Sequence, residues 1–400
     1  MKGLDVAIAN YGDAYGTDDD PKHTTELAVD AFLDLVRKTG ISRDLIGGVF
    51  TGRSPTMDLR PQWNNIISSY LKITPAYTSE VTSHGAGVNA TLAYASAFVS
   101  AGIIDYALIL VADNPGSSAS HIKKTAGYDS DPEFELPYGP TVPSIYAQGA
   151  TRYMHEYGVT EADLAQVAVD HQAWAVHHPY SAKGPKGEIT IDTVLRSRMI
   201  ADPIRLWNSA IWGPQGTGGA LLVTSAERAA DLTDKPVRIL GFGGMNTHEY
   251  ATDRMALRSS PHDLGPLPNL THTGARHASR RAYEMAGITA SDVGMVQCGN
   301  NFTHMAMIFM EDFGFCEKGQ APALVRSGRL RPGGDLPWNT NGGWLSFGQP
   351  GISCGMDPII EAVRQLRGEA LGLQVQHPGI ALTHAVGGMM ACHHVTLLSR

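Results

Sequence analysis

One succession of elements occurs twice in this chain of 400 residues. The turn Ser83-His84-Gly85-Ala86-Gly87 opens a helical pattern over 84–101, with Val88, Leu92, Ala95 and Val99 on one face. Gly102 stops it, and the apolar run Tyr106 to Ala112 follows. Much later the turn Gly348-Gln349-Pro350-Gly351 opens a second helical pattern over 351–367, with Met356, Ile360 and Val363 on one face. Gly368 stops that one, and an apolar strand covers 379–383. The two stop glycines lie 266 residues apart, and the turns are offset by about the same distance. Such a chain reads as a duplication of one layered α/β unit. Strands that are apolar along their whole length predict a parallel or mixed sheet covered by helices on its faces.

The remaining periodicities fit that plan. Strands are expected at 6–9, 48–51, 220–224, 236–242, 293–297 and about 390–398, with an extended stretch at 75–81. Helices are expected at 25–38, 61–71, 144–157, 161–175, 275–286, 302–314 and 320–327. The expected division is an N-terminal half over 1–232 and a C-terminal half over 233–400. Within the first half the rhythm breaks from 114 to 216, a Pro-, Gly-, Tyr- and His-rich excursion of the kind that forms lids or binding loops.

Charge and cysteine content exclude several classes. Thirty-one basic residues against 39 acids give a formal charge of -8, so no basic face for nucleic acid is expected. No apolar run reaches the roughly 18–20 residues of a membrane span. The first residues, with one lysine before a strand-like stretch, do not read as a signal peptide. Four cysteines (Cys298, Cys316, Cys354, Cys392) show no Cys-x-x-Cys spacing, so neither a disulfide framework nor a zinc site is expected, and a reducing cytoplasm is the default. The pairs His177-His178 and His393-His394 lack further ligands at useful spacing, and no metal is expected.

The chemistry is expected where the two turns aim helix N-termini at a shared centre. Unpaired N–H groups and the positive helix end favour a developing oxyanion there. Two polar clusters join them: Asn300-Asn301-Phe302-Thr303-His304, and His384-Ala385-Val386-Gly387-Gly388 at the end of an apolar strand. Each has a plainer reading. Ser83 suits an N-cap better than a nucleophile, His384 can satisfy a backbone carbonyl, and Gln349 can close its turn. Asn300 and Asn301 can cap the helix after them, and His304 reads as packed. Arg280-Arg281 reads as a solvated helix face, with a coenzyme A phosphate contact as the rival reading.

Over nearly its whole length the chain resembles the thiolase superfamily, and within it the sterol-carrier-protein type. The resemblance is carried by Val169-Asp170-His171 through His178-Pro179-Tyr180, Phe302 through Cys316, Asn339-Thr340-Asn341-Gly342-Gly343 through Gly351, and Glu361 through Gly368. It implies two βαβαβαββ halves in a five-layered αβαβα sandwich. It also implies carbon–carbon bond chemistry next to a coenzyme A thioester, usually in a homodimer. The thioester enters as substrate, and no tightly bound cofactor is expected.

The catalytic positions depart from the family pattern. The nucleophilic cysteine of the first turn falls on His84, or on Ser83 if the turn shifts by one. The Gly-His-Pro histidine falls on Gln349, and the C-terminal catalytic cysteine on His384. The family's His-Asp-Cys-Phe motif becomes Gly299-Asn300-Asn301-Phe302. Acyl-cysteine thiolysis is therefore not expected. A positive helix end disfavours imidazolium, so a neutral His84 is expected as base and His384 as its opposing acid or base. Gln349 and Asn301 would donate to a thioester or enolate oxygen, with Ser83, Gly85, Asn300, Gly387 and Gly388 lining the substrate.

That set suits acyl transfer or retro-aldol or retro-Claisen cleavage without a covalent intermediate. Some relatives in steroid side-chain degradation are aldolases of this kind, although the tyrosines they carry near the Asp-x-Phe region are missing here. Relatives of this branch also assemble with a small OB-fold, zinc-ribbon protein, and such a partner is expected here. The rival expectation is a catalytically inactive thiolase-fold subunit that scaffolds that partner or binds lipid acyl-CoA.

Overall fold

The computed structural model describes residues 4–52, 56, 60–115, 130–211, 213, 216–248, 250–255 and 269–400. Residues 116–129 of the expected excursion lie outside the described residues. The first half runs β1 (Val6–Tyr15), α1 (Thr24–Thr39), β2 (Ile46–Gly52), α2 (Trp63–Leu71), β3 (Tyr77–Val81), α3 (Gly87–Ser100) and β4 (Tyr106–Asp113). The excursion supplies α4 (Val142–Tyr157), α5 (Glu161–Ala175), α6 (Ile191–Leu195) and a small hairpin, β5 (Met199–Ala201) with β6 (Ile204–Arg205). The chain then returns as β7 (Thr217–Ser225) and α7 (Ala226–Leu232). The second half holds β8 (Val237–Asn246), α8 (Ala275–Ala286), β9 (Val293–Gly299), α9 (Thr303–Asp312), α10 (Ala321–Arg326), α11 (Gly343–Ser346), α12 (Asp357–Arg367), β10 (Ile380–Gly387) and β11 (Cys392–Ser399).

Nine strands hydrogen-bond in the order β3-β2-β4-β7-β1-β8-β11-β10-β9. Among the described residues, strands of the two halves pair with each other at β1 and β8, through Ala7↔Arg238 and Ile8↔Val237. On either side of that seam the order is the same. Five strands of the first half are matched by four of the second. In the place of a fifth, Trp338 makes a single parallel bridge to Val296 of β9. The expected βαβαβαββ pattern therefore holds for the first half and loses its third strand in the second.

Side-chain alternation along the strands explains the layering. On β4, Leu108, Leu110 and Ala112 enter one buried cluster with Leu27, Phe32 and Leu35 of α1. Ala107, Ile109 and Val111 enter another with Val88, Leu92 and Ala95 of α3 and Ile359, Ile360 and Val363 of α12. Residues of β8 to β11 reach that same central cluster, while their opposite face meets α8 and α9 in a third. The layers are thus helix, sheet, helix, sheet, helix, with α3 and α12 in the middle.

Burial on both sides explains why every residue of α12 is buried, charged ones included. Its Arg364 pairs with Asp13 of β1 and donates to the Tyr15 hydroxyl at 2.9 Å. Glu361 accepts from Thr340 and from Gln365.

Both glycine-rich turns are tighter than the expected helices. Residues His84–Ala86 form a 3-10 turn that runs into α3, and Gly351–Gly355 form another before α12. Among the described residues no helix is long and apolar enough to cross a membrane.

Candidate active site

The two turns meet at the centre of the molecule because glycine lets them. A Cβ on Gly355 would lie 2.1 Å from the Gly85 carbonyl oxygen, and one on Gly387 would lie 2.0 Å from that of Ser83. Neither approach tolerates a side chain. His84, between them, has a left-handed φ of 48°, uncommon for a residue other than glycine, at the point where β3 turns into α3. The second turn is fixed by Asp113 at the end of β4. Its buried carboxylate accepts from Ile352 N at 2.9 Å and from the amide and hydroxyl of Thr56 at 3.0 and 2.6 Å. The Trp344 indole donates to the Cys354 carbonyl at 2.9 Å and braces the same turn.

Between these turns and the excursion lies a cavity of 460 Å³. Its walls are laced together by backbone hydrogen bonds: Gln349 N to Ile211 O at 2.8 Å, Ala210 N to Asn301 O at 2.7 Å, and Lys183 N to Ser346 O at 3.0 Å. The lining is mostly apolar, with Tyr146, Phe302, Ile211 and Trp344 among it. His84, Gly85, Asn301, Gln349 and Gly388 all face it, so five of the nine expected site residues converge. Asn301 is 7% exposed, and its Oδ1 has no hydrogen-bond partner among the described residues. A buried polar atom left unpaired costs about 1–3 kcal/mol. The residue lines the cavity, while this oxygen itself is covered.

The other four expected residues do not line the cavity. His384 is the important correction. It sits mid-strand on β10, wholly buried, facing the outer helices and packed against Phe309 and Phe313 at ring distances of 4.6 and 5.1 Å. Its Nδ1 lies 3.2 Å from Cys298 Sγ, its Nε2 3.2 Å from His393 Nδ1, and His393 Nε2 3.0 Å from the Met390 carbonyl. The carbonyl can only accept. His393 therefore carries its proton on Nε2 and accepts at Nδ1 from His384, which accepts in turn from the Cys298 thiol. Burial, reinforced by the neighbouring imidazoles, holds His384 well below its ordinary range, and burial alone keeps the Cys298 thiol protonated. This relay is structural, and among the described residues no second imidazole lines the cavity opposite His84.

Asn300 is likewise tied into the core, accepting from Asn339 at 2.7 Å beside His171, whose imidazole burial pushes down to about 4. Gly387 serves the close approach to Ser83 described above. Ser83 has no side-chain capping bond, and neither asparagine caps α9, whose N-cap is Phe302. Arg280 reaches Glu284 across the helix surface at 3.7 Å and Arg281 donates to Gly244 O, so this pair lies apart from the cavity. No cluster of metal-ligating residues occurs among the described residues.

Two cavity residues carry no sequence signal. Cys354, in the second turn, lines the cavity although it lies off the family's cysteine positions. Burial, then the charges of Asp357 and Asp113, raise its thiol far above the usual range, and it remains a thiol. Lys183, from the loop after α5, is 2% exposed, and burial with the nearby Lys186 lowers its ammonium to about 7. A loop reading Ser181-Ala182-Lys183-Gly184-Pro185-Lys186 looks solvated, and nothing in it says that the first lysine is covered and the second exposed.

Comparison with known proteins agrees with this architecture. Residues 258–400 match the family described as Thiolase C-terminal domain-like. An acetyl-CoA acetyltransferase of Methanothermobacter thermautotrophicus is 33% identical over 276 residues, 68% of this chain and 67% of that protein. The 17-hydroxy-3-oxo-4-pregnene-20-carboxyl-CoA lyase of Mycobacterium tuberculosis is 32% identical over 378 residues, 92% of each chain. Among solved structures, the Ltp2-ChsH2(DUF35) aldolase superposes with a TM-score of 0.81 at 26% identity, covering 99% of this chain and 98% of that one. With a duplicated, layered α/β fold and relatives aligned along almost its full length, the chain belongs to the thiolase superfamily.

Proposed function

We propose that this protein cleaves a carbon–carbon bond in a β-hydroxyacyl coenzyme A thioester by retro-aldol chemistry, with no acyl-enzyme intermediate. The observation that carries the reading is the convergence of one imidazole and two carboxamides, His84, Asn301 and Gln349, on a single largely apolar cavity. The names of a steroid acyl-CoA lyase and an aldolase among the similar proteins support it.

In this reading His84 accepts the proton of the β-hydroxyl. The electron pair of that O–H bond forms a carbonyl, the Cα–Cβ bond breaks, and its electrons pass to the thioester as an enolate. Donors on Gln349 and Asn301 stabilise the enolate oxygen where water is excluded, as oxyanion holes do. The proton held on His84 then returns to the enolate carbon. A ketone or aldehyde and a shortened acyl-CoA leave. The thioester is a substrate, and the scheme needs no cofactor.

The thiolysis route fares worse on this geometry. It needs a thiolate, and the thiol lining the cavity is held protonated. A small OB-fold, zinc-ribbon subunit is part of the proposal, supported by the two-component name of the aldolase structure. A homodimer is proposed along β3, which lies at one edge of the sheet and carries the exposed Tyr77.

The test is release of carbonyl product from β-hydroxyacyl-CoA substrates by the chain, alone and with its co-purifying partner. His84→Ala is expected to lower the rate by about 10²–10⁴-fold, the usual contribution of a general base. Cleavage that is untouched by this substitution removes the assignment. Absence of any turnover from the assembled protein favours the inactive scaffold instead.

A further inference from the structure

The proposed chemistry uses the imidazole and amide side of the cavity and leaves its two lysines, the covered Lys183 and the exposed Lys186, without a task. Lys183 is held from both ends of its residue: its amide donates to Ser346 O at 3.0 Å, and its Nζ donates to Ser209 O at 3.0 Å. The Nζ also stands 4.8 Å from the centre of the Trp207 ring, and Lys186 Nζ stands 5.6 Å from the same ring. An ammonium has three donors, and one carbonyl and one aromatic face do not neutralise it. No carboxylate pairs with Lys183 among the described residues. The charge acting on it is the like charge of Lys186.

A buried cation without a counter-ion is costly, and proteins rarely keep one unless something completes it. Lys183 lines the same cavity as His84, Asn301 and Gln349, among apolar side chains such as Val142, Ile200 and Met389. Building on the acyl-CoA reading, we propose that Lys183 is the docking point for a carboxylate carried on the acyl part of the substrate, away from the thioester. Lys186 lines the cavity too but is exposed, so the covered ammonium is that of Lys183, and a carboxylate's single negative charge can be desolvated against it at tolerable cost. A nucleotide phosphate bears more charge and is better hydrated, which suits an exposed residue such as Lys186. A neutral ketone or hydroxyl would leave the cation uncompensated. The substrate class is therefore an acyl-CoA with an apolar body and an acidic tail.

Titration calorimetry on the full chain tests this with four probes: octanoyl-CoA, suberoyl-CoA (the same chain ending in a carboxylate), coenzyme A, and sodium suberate. The expected result is suberoyl-CoA binding about 10- to 100-fold tighter than octanoyl-CoA, as for a charge-assisted hydrogen bond. Lys183→Met is expected to erase that preference. The wild-type comparison stands alone if the variant does not fold. Equal affinity for the two thioesters overturns the acidic-tail assignment and leaves the acyl-CoA reading standing. Loss of binding to coenzyme A itself in Lys183→Met moves the lysine to the nucleotide and also overturns it. If neither thioester binds, the acyl-CoA reading fails. Suberate binding that depends on Lys183 then still supports the carboxylate site, and its absence overturns that too.

Discussion

Lys183 and His384 show how much the surroundings of one residue decide. Lys183 is driven from its ordinary 10.5 to about 7 by burial and by Lys186. Below about pH 7 the folded chain carries the cost of a covered ammonium. Between about 7 and 10.5 the unfolded chain holds a proton that the folded chain has shed, so stability rises with pH across that window. Replacing Lys183 by Met is expected to stabilise the unliganded protein at pH 6 by about 1–3 kcal/mol and to flatten that rise. Urea unfolding at pH 6, 8 and 9.5 measures both. An unchanged midpoint at every pH contradicts the account of an uncompensated charge.

His384→Ala carries the opposite expectation. It strands the Cys298 thiol and the His393 ring and opens a void beside Phe309, for a loss of about 3–4 kcal/mol in denaturant unfolding. Neither residue announced its setting in the sequence. A lysine in a Gly-Pro loop reads as solvated, and a histidine at the end of an apolar strand reads as a site residue until the outer helices are seen to cover it. Hydropathy along a chain records the face that a residue shares, and not what the next layer places upon that face.

At the scale of elements, the two turns are the determining parts. The turns themselves, and the helices, strands and stop signals around them, were legible from spacing alone, whereas the backbone contacts that their glycines permit were not. Periodicity could not show that both helices begin with a 3-10 turn, or that Asp113, far away in the chain, anchors the second turn. It also missed the loss of a strand in the second half, where one bridge at Trp338 replaces a ladder. Gly355→Ala is expected to force the turns apart, because the added carbon meets a backbone oxygen that cannot swing aside. A loss of more than about 2 kcal/mol in stability should accompany a fall in ligand affinity. Unchanged stability and affinity would mean that the turns are not in the contact described.

The whole molecule carries an unusual number of covered imidazoles. Burial lowers His171, His178 and His394 to about 4 and His304 and His393 to about 3, with His384 also well below its normal range. Each has a folded value beneath its unfolded value of about 6.5, so below that pH the unfolded chain takes up protons that the folded chain refuses. Asp357, raised to about 8 by burial, opposes the trend, as do Asp170 and Glu311. The imidazoles outnumber them. Melting temperature is therefore expected to fall steeply as the pH drops from about 6.5 to 4. A flat profile across that range contradicts the burial of these rings.

The layered fold thus spends its interior on histidine, and among the described residues it leaves a single imidazole, that of His84, at the cavity. Intact-protein mass spectrometry on samples quenched while a β-hydroxyacyl-CoA is being cleaved tests that arrangement most directly. Cleavage of the carbon–carbon bond by one imidazole and two carboxamides predicts the unmodified chain mass at every time point. An acyl adduct that forms on Cys354 and decays as product appears contradicts it.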